Sequence, residues 1–398
     1  MLDFAAARER LLAAARGIER VETLPIEACL GRILAEDARA LSDSPPGDVS
    51  TLDGYAIAVR DLAPAGETRL RVTQRIAAGQ TGGPLEPGSA ARIFTGAAMP
   101  PGADAIVAQE AARREGDEVV FARHPAPFED VRRQGEDFRS GAVLVPAGTR
   151  LAPAHLGLAA SGGIDRCSVF GRLRVALLTT GDEVVPPGQP LHPGQIYNAN
   201  APLLSGLLQQ LGCEISHVEH LPDHFDTTLD GLKRIAPACD VILTSGGVSV
   251  GEEDHVKSAV EHLGTLDMWK VRMKPGKPLA FGHVLGTPFI GLPGNPVSGF
   301  VTFLLFARPF LLASMGATTP APRPIRLPAA FARPRASERR EFARGRITAD
   351  QRVELYANQG SGILSSLGWA EVLVELPENE TLAPGDPVNT YLLAELMA

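Results

Sequence analysis

From Arg172 onward, continuous apolar runs alternate with amphipathic stretches. LRVALLTT (173–180) is apolar almost throughout and ends in GDEV, the pattern of a strand covered on both faces. Leu203, Leu204, Leu207, Leu208 and Leu211 recur at helical spacing, which predicts a helix opened by Asn198 as cap and closed by Gly212. CEISHVEHL (213–221) predicts the next strand, residues 226–236 a helix, DVILTS (240–245) a strand and residues 252–263 a further helix. Such alternation builds a mostly parallel, doubly wound α/β sheet, whose ligands bind beyond the carboxyl ends of the strands. The most apolar run, Val297–Met315, is interrupted by Arg308 and Pro309 and reads as a buried helix rather than a membrane span.

The first half has another texture. Short alternating runs, LRVTQRI (70–76) and EVVFAR (118–123), lie between Pro/Gly turns at SPPGD, PLEPG, MPPGAD and VPAG. This predicts a small β domain over residues 48–138, inserted into a connecting unit of residues 1–47 and 139–168. The chain opens with an amphipathic helix, Phe4, Leu11, Leu12, Ala15 and Ile18 near one face, and lacks a signal-peptide core. The α/β unit spans 169–318. Five prolines between Thr319 and Arg335 mark a linker. It leads into a final unit, 319–398, whose short strands and tight turns predict a small β-barrel.

Composition narrows the classes. At about 100–200 residues per domain, 398 residues hold several cores. Lys plus Arg number 38 against 46 Asp plus Glu, a net charge of −8, which argues against a general nucleic-acid or membrane-surface binder. The four cysteines are scattered without a CxxC pair, so neither structural zinc nor a disulfide framework is expected, and a reducing, cytoplasmic setting is.

The chain uses arginine by default, and only five of its basic residues are lysines. Three of them, Lys270, Lys274 and Lys277, fall within WKVRMKPGKP (269–278), at a Pro-Gly turn at a strand end. Compact ammonium charges there point to a tetrahedral oxyanion or a phosphate. TSGGVSVGEED (244–254) is a strand, a glycine-rich loop and a helix start. Backbone N–H groups around Gly246, Gly247 and Ser249 could receive a phosphate, yet neither Walker A nor GxGxxG is present. Glu252, Glu253 and Asp254 suit a helix start and a divalent cation equally. Asp182 and Glu183 follow one strand and Asp223 another; each suits a loop cap, but carboxylates at several strand ends can converge on one crevice. In GLPGNPVSG (291–299), Asn295 suits a helix cap and Ser298 the first turn. Asp53-Gly54 reads as a hairpin turn and Gly135-Glu136-Asp137 as another turn. His217, His220 and His224 invite a zinc reading, which the intervening strand and Pro222 oppose. The eight arginines between Arg323 and Arg346 read as solvated surface plus one anion contact.

Together these motifs resemble the molybdopterin molybdotransferase family, to which the C-terminal domain of gephyrin belongs. STLDGYA, GEDFRSGAVLVPAGTRL, TTGDEVVPPG, LTSGGVSVGEED, KPGKPLAFG and GLPGNPVS match in order and spacing, with Leu52 where methionine is usual; EFARG and NQGSGILSSL match in the last unit. The resemblance implies an elongated cytoplasmic homodimer of connecting, β lid, α/β and C-terminal barrel domains. It implies insertion of molybdate into the dithiolene of adenylylated molybdopterin with release of AMP, aided by a divalent cation, usually Mg²⁺. It assigns Glu183, Asp223 and Asp254 to cation and catalysis, Lys270, Lys274 and Lys277 to the substrate anions, and Lys274, Lys277, Ser298, Arg344 and Ser361 to the molybdate pocket. Asp53 and Asp137 would face the cleft across the dimer. The adenylylating enzyme of the preceding step and chaperones of molybdoenzymes are the protein partners it suggests. The adenylylating fold itself needs only the α/β unit, so the additional units favour the molybdate-inserting step.

Overall fold

The computed structural model describes residues 1–247 and 255–397. At its centre is a six-stranded sheet in the order Glu214–Leu221, Arg174–Thr180, Val241–Ser245, Thr287–Leu292, Pro278–Val284, Gly264–Lys270. The first four strands are mutually parallel; Pro278–Val284 runs against both of its neighbours. Val175 and Leu177 face one core and Ala176 and Leu178 the other, as the period of two in a strand requires. Helix Asn200–Leu211 covers the first face, and helices Phe225–Ile235 and His255–Leu263 the second. The sheet is therefore doubly wound, with an antiparallel strand in its far half. Asn198 acts in the start of the first helix, its Oδ1 accepting the Ala201 N–H at 3.0 Å, and Gly212 ends it in a left-handed conformation.

The buried helix expected after residue 296 is present, and it continues through Arg308 and Pro309. Pro296–Thr302, Phe303–Ala307 and Arg308–Ser314 form one continuous helical rod, its middle segment widened to π geometry. Pro309 has no N–H for the carbonyl four residues earlier, and the widened turn accommodates it. The rod is long and apolar enough to cross a membrane, but 89% of its apolar window is buried inside the protein. Phe300, Phe303, Phe306 and Phe310 fill the first core.

Helix Phe4–Ala13 is capped by Asp3, whose Oδ1 accepts the Ala5 N–H at 2.8 Å. It buries Phe4, Ala7 and Leu11, whereas Ala15 and Ile18 lie beyond its end. The Phe4 ring sits 5.1 Å from Phe306 and 4.9 Å from Phe342. This opening segment packs on the central core, which includes Ile33, and on the C-terminal sheet. Burial of side chains such as Phe4 and Leu11 is worth about 1.5–3 kcal/mol each.

The N-terminal half carries a second six-stranded sheet, ordered Ala105–Ala108, Gly54–Ile57, Ser89–Ile93, Thr68–Ile76, Glu118–Phe121, Arg113–Glu115. Asp53-Gly54 is not a hairpin turn. Gly54 opens a strand held between two neighbours, and a Cβ there would lie 2.2 Å from the Val107 carbonyl oxygen. Close backbone approach, not turn geometry, demands this glycine. Strand Val21–Pro25 pairs with Arg166–Phe170, and helix Pro153–Ser161 packs beside them.

The last unit is a sheet of Arg340–Ile347, Val372–Leu376, Pro387–Leu392 and Ile325–Pro328, with Val353–Leu355 paired to the first. A bridge from Ala329 to Val353 links its two sides. Met273–Lys274, from the central unit, joins this sheet as a parallel partner of Arg340–Glu341. That stitch places the lysine loop against the C-terminal unit.

Candidate active site

A cavity of about 700 Å³ lies beyond the carboxyl ends of the parallel strands. Thr179, Thr180 and Ser245 form its floor, and the C-terminal loop Gln359–Ser361 closes one side. A doubly wound sheet leaves its ligand crevice at this end.

Glu183 and Asp223 line the same wall. They follow the adjacent strands Arg174–Thr180 and Glu214–Leu221. Asp182 plays a separate part: its Oδ1 accepts the Asp223 N–H at 2.9 Å and so ties the two loops together. Asn198 donates to Thr179 Oγ1 at 2.9 Å. Asn200 spans Ser245 Oγ (2.9 Å) and the Gly294 carbonyl (2.6 Å), which fixes the 293–296 loop over the strand ends. Gly246 and Gly247 line the cavity. The Gly246 N–H is already given to the Leu292 carbonyl at 3.1 Å, so it is not a donor for a phosphate. Ser249 and Asp254 lie outside the described residues.

Lys274, Pro275, Gly276 and Lys277 form the basic wall. Lys274 Nζ is 3.4 Å from Glu341 Oε2, and Arg333 shares that carboxylate at 3.2 Å. Burial opposes ionisation of Glu341, but the Ser337 hydroxyl, Lys274 and Arg333 together hold its pKa below the ordinary value. Lys277 lines the cavity and has no ion pair among the described residues. Ser298, in the first turn of the helical rod, is nearly buried and also faces in. Asn295 stands at the cap position of that helix without a capping bond from its side chain and lines the cavity instead. The Val297 N–H donates to the Ser361 carbonyl at 3.2 Å, which docks the C-terminal loop on the helix start.

Lys270 does not line the cavity. It ends the edge strand, opposite Pro278. Arg344 does not line it either. Only 1% of the residue is exposed. Its Nε donates to Ser366 Oγ at 3.0 Å and its Nη2 to the Gly360 (3.0 Å) and Asn358 (3.3 Å) carbonyls. Burial without a carboxylate partner lowers its pKa. Arg344 thus shapes the 358–361 loop from behind. Asp53 and Asp137 lie outside the cavity of this chain: Asp53 Oδ1 accepts both the N–H and the hydroxyl of Thr95 at 2.9 Å, which depresses its pKa, and Asp137 is exposed. His217 and His220 sit three apart on one strand and so face opposite ways; their Nδ1 atoms meet Ser216 Oγ and Thr179 Oγ1. Lining residues that lie outside the quoted motifs include Arg339, Asn200 and Tyr197. Arg339 was concealed among eight arginines, and the asparagines resembled ordinary capping residues.

Comparison with known proteins accords with this geometry. Residues 2–163 match the MoeA N-terminal region (domain I and II), residues 176–313 a probable molybdopterin binding domain and residues 326–393 the MoeA C-terminal region (domain IV). The chain is 36% identical to a molybdopterin molybdenumtransferase of Synechococcus elongatus, over 99% of this chain and 100% of that one. It is 36% identical to molybdopterin molybdenumtransferase 2 of Mycobacterium tuberculosis, over 90% and 91%. The crystal structure of the molybdopterin biosynthesis MoeA protein of Pyrococcus horikoshii superposes with a TM-score of 0.86 at 28% identity, covering 98% of this chain and 100% of that one. Fold and relatives define a transferase of molybdenum cofactor biosynthesis. The chain belongs to the molybdopterin molybdenumtransferase family.

Proposed function

We propose that this cavity joins molybdate to the dithiolene of adenylylated molybdopterin and releases AMP. The observation that carries the reading is the division of one cavity into a carboxylate wall, Glu183 and Asp223, and a basic wall, Lys274 and Lys277. The substrate carries a pyrophosphate and two thiolates, and molybdate is a dianion. Lys277, Lys274 and the Ser298 and Ser361 hydroxyls suit the tetrahedral oxyanion, held by donors already in place. The work of this wall is proximity: molybdate is kept beside the sulfur atoms it must join.

Glu183 and Asp223 cannot meet a pyrophosphate directly without repulsion. Among the described residues no group of three His, Cys, Asp or Glu is placed to hold a metal ion. Two carboxylates suffice for Mg²⁺, which takes one or two from the protein and completes its shell with water and phosphate oxygens. A cation held there supplies Lewis-acid neutralisation of the phosphate and of the departing AMP. Glu183 and Asp223 are the residues that would hold it. Asp182 keeps the two carboxylates in register.

On the same reading the chain is a cytoplasmic homodimer. Its units are the connecting unit 1–47 with 139–168, the lid 48–138, the α/β unit 169–318 and the barrel 319–398, and Asp53 and Asp137 serve the cavity of a second copy. Glu183→Ala tests the assignment. Molybdate insertion should fall to background while thermal unfolding stays as in the wild type; full activity in a folded variant would remove Glu183 from the site.

A further inference from the structure

We infer that a second cavity, at the junction of the connecting unit, the helical rod, the proline-rich linker and the last helix, is a binding site for a small phosphate-type anion, gripped by the Arg308 guanidinium. This cavity has a volume of about 310 Å³ and shares no lining residue with the candidate active site, so the inference stands apart from the proposed function.

Segments far apart in sequence build this space. Gly148 and Arg150 come from the stretch before helix Pro153–Ser161, Arg308 and Leu312 from the rod, Arg323 from the linker and Glu395 from helix Leu393–Met397. The start of the linker is seated tightly on the connecting unit. The Thr318 N–H donates to the Gly148 carbonyl at 3.1 Å, and a Cβ on Gly148 would lie 2.3 Å from Thr318 Cγ2. Packed backbone therefore frames the cavity, and its volume falls at the lower end of the roughly 300–1,000 Å³ usual for ligand pockets.

The side chains facing it suit an anion. Arg308 is half-buried and forms no ion pair with a described residue. Its Nη2 donates to the Glu395 carbonyl, a neutral acceptor, at 3.2 Å. Its Nη1 has no hydrogen bond with a described residue, and its Nε is buried without one. Burial, and then the neighbouring Arg150 charge, bring the Arg308 pKa down to about 10 against the weaker pull of Glu395. Arg150 is held at the same wall by bonds from its Nε to the Gly31 carbonyl (3.3 Å) and from its Nη2 to the Gln210 carbonyl (3.0 Å). A half-buried guanidinium repelled by a second one is a cost to the fold. A tetrahedral dianion removes that cost: it has enough oxygens to accept from a planar fork and from a neighbouring arginine at once, and enough charge to offset their repulsion. Arg323, exposed on the linker, adds a third guanidinium at the rim. An anion seated there joins the rod to the connecting unit and the last helix, and stabilises the folded chain by mass action.

The test is calorimetric titration of the full-length protein with sodium phosphate and, separately, with glycerol 3-phosphate, at an ionic strength held constant with chloride. The proteins are wild type, Arg308→Met, Lys277→Met and the exposed control Arg326→Gln, and urea midpoints are measured for each with and without phosphate. Lys277→Met, altered only in the other cavity, should keep a phosphate site of wild-type affinity. Arg308→Met should bind at that site at least tenfold more weakly. In chloride alone Arg308→Met should unfold at the same urea concentration as wild type or above it, because the repulsion with Arg150 is gone. Phosphate should then raise the midpoints of wild type and Arg326→Gln beyond that of Arg308→Met, which separates a site from the general effect of phosphate on stability. Tighter binding of the phosphomonoester than of inorganic phosphate identifies an organic phosphate as the occupant; equal binding identifies the free ion. Phosphate binding that Lys277→Met abolishes altogether, or that Arg308→Met leaves unchanged, overturns the inference and leaves the proposed function standing. A marked fall in the chloride midpoint of Arg308→Met makes the side chain a structural donor to Glu395 and also overturns it.

Discussion

Gly276 sets the shape of the lysine loop, and alanine there should disable it. Its φ of +98° is strained for any residue with a side chain, at a cost of about 1–2 kcal/mol. A Cβ at this position would also lie 2.2 Å from Thr302 Oγ1. Thr302 is fully buried in the helical rod and cannot swing aside, so relief requires a shift of packed atoms, worth about 1–3 kcal/mol. The total is about 2–5 kcal/mol, and the cheapest escape moves the 274–277 loop off the rod together with both lysines. Gly286 is the control: its φ is +87° but nothing lies within 4 Å of the added Cβ, so Gly286→Ala carries the backbone strain alone. Urea unfolding and molybdate calorimetry on both variants separate the terms. Gly276→Ala should be destabilised beyond Gly286→Ala and bind molybdate at least tenfold more weakly, with Gly286→Ala near wild type in binding. Adding Thr302→Ala to Gly276→Ala should recover part of the stability, a coupling expected for groups in contact. Equal stability of the two glycine variants, with molybdate binding intact, would refute the reasoning.

Two further outcomes follow from buried charges. Burial raises the Asp240 pKa, but hydrogen bonds from the Arg20 and Arg174 side chains and the Arg174 N–H outweigh it and bring the group down to about 2. A carboxyl depressed on folding stabilises the protein above its unfolded pKa and loses that contribution as pH falls through the folded value. Asp240→Asn should therefore cost about 2 kcal/mol at pH 7, with the gap from wild type closing below pH ~4 and vanishing near pH ~2 in denaturant titrations. Arg344→Met leaves the Asn358 and Gly360 carbonyls and Ser366 without their donor and should cost about 2–4 kcal/mol. Arg344→Met should also weaken molybdate binding through the displaced 358–361 loop, and normal stability in that variant would contradict the role given to Arg344.

The central sheet was legible because strands covered on both faces must be apolar throughout, as in LRVALLTT, and because leucines at helical spacing can bury only one stripe. The carboxylates Glu183 and Asp223 and the lysines Lys274 and Lys277 were legible because strand-end loops of such a sheet share one crevice. What was not legible depends on contacts distant in sequence. The destination of helix Phe4–Ala13 is set by Phe306 and Phe342, some three hundred residues away. The need for glycine at 54 comes from the Val107 carbonyl, which local turn preferences do not register. Lys270 and Lys274 look equivalent in the sequence, but only the latter lies in the loop stitched to Arg340–Glu341. That same stitch decides which arginine of the C-terminal segment meets the cavity, and no local pattern contains it.

The most direct measurement is AMP release from adenylylated molybdopterin by the purified protein in Mg²⁺, with and without molybdate. The account predicts release that depends on molybdate and yields active molybdenum cofactor in proportion to the AMP formed. Tight binding of adenylylated molybdopterin with no release under either condition would contradict it and make the cavity a carrier site.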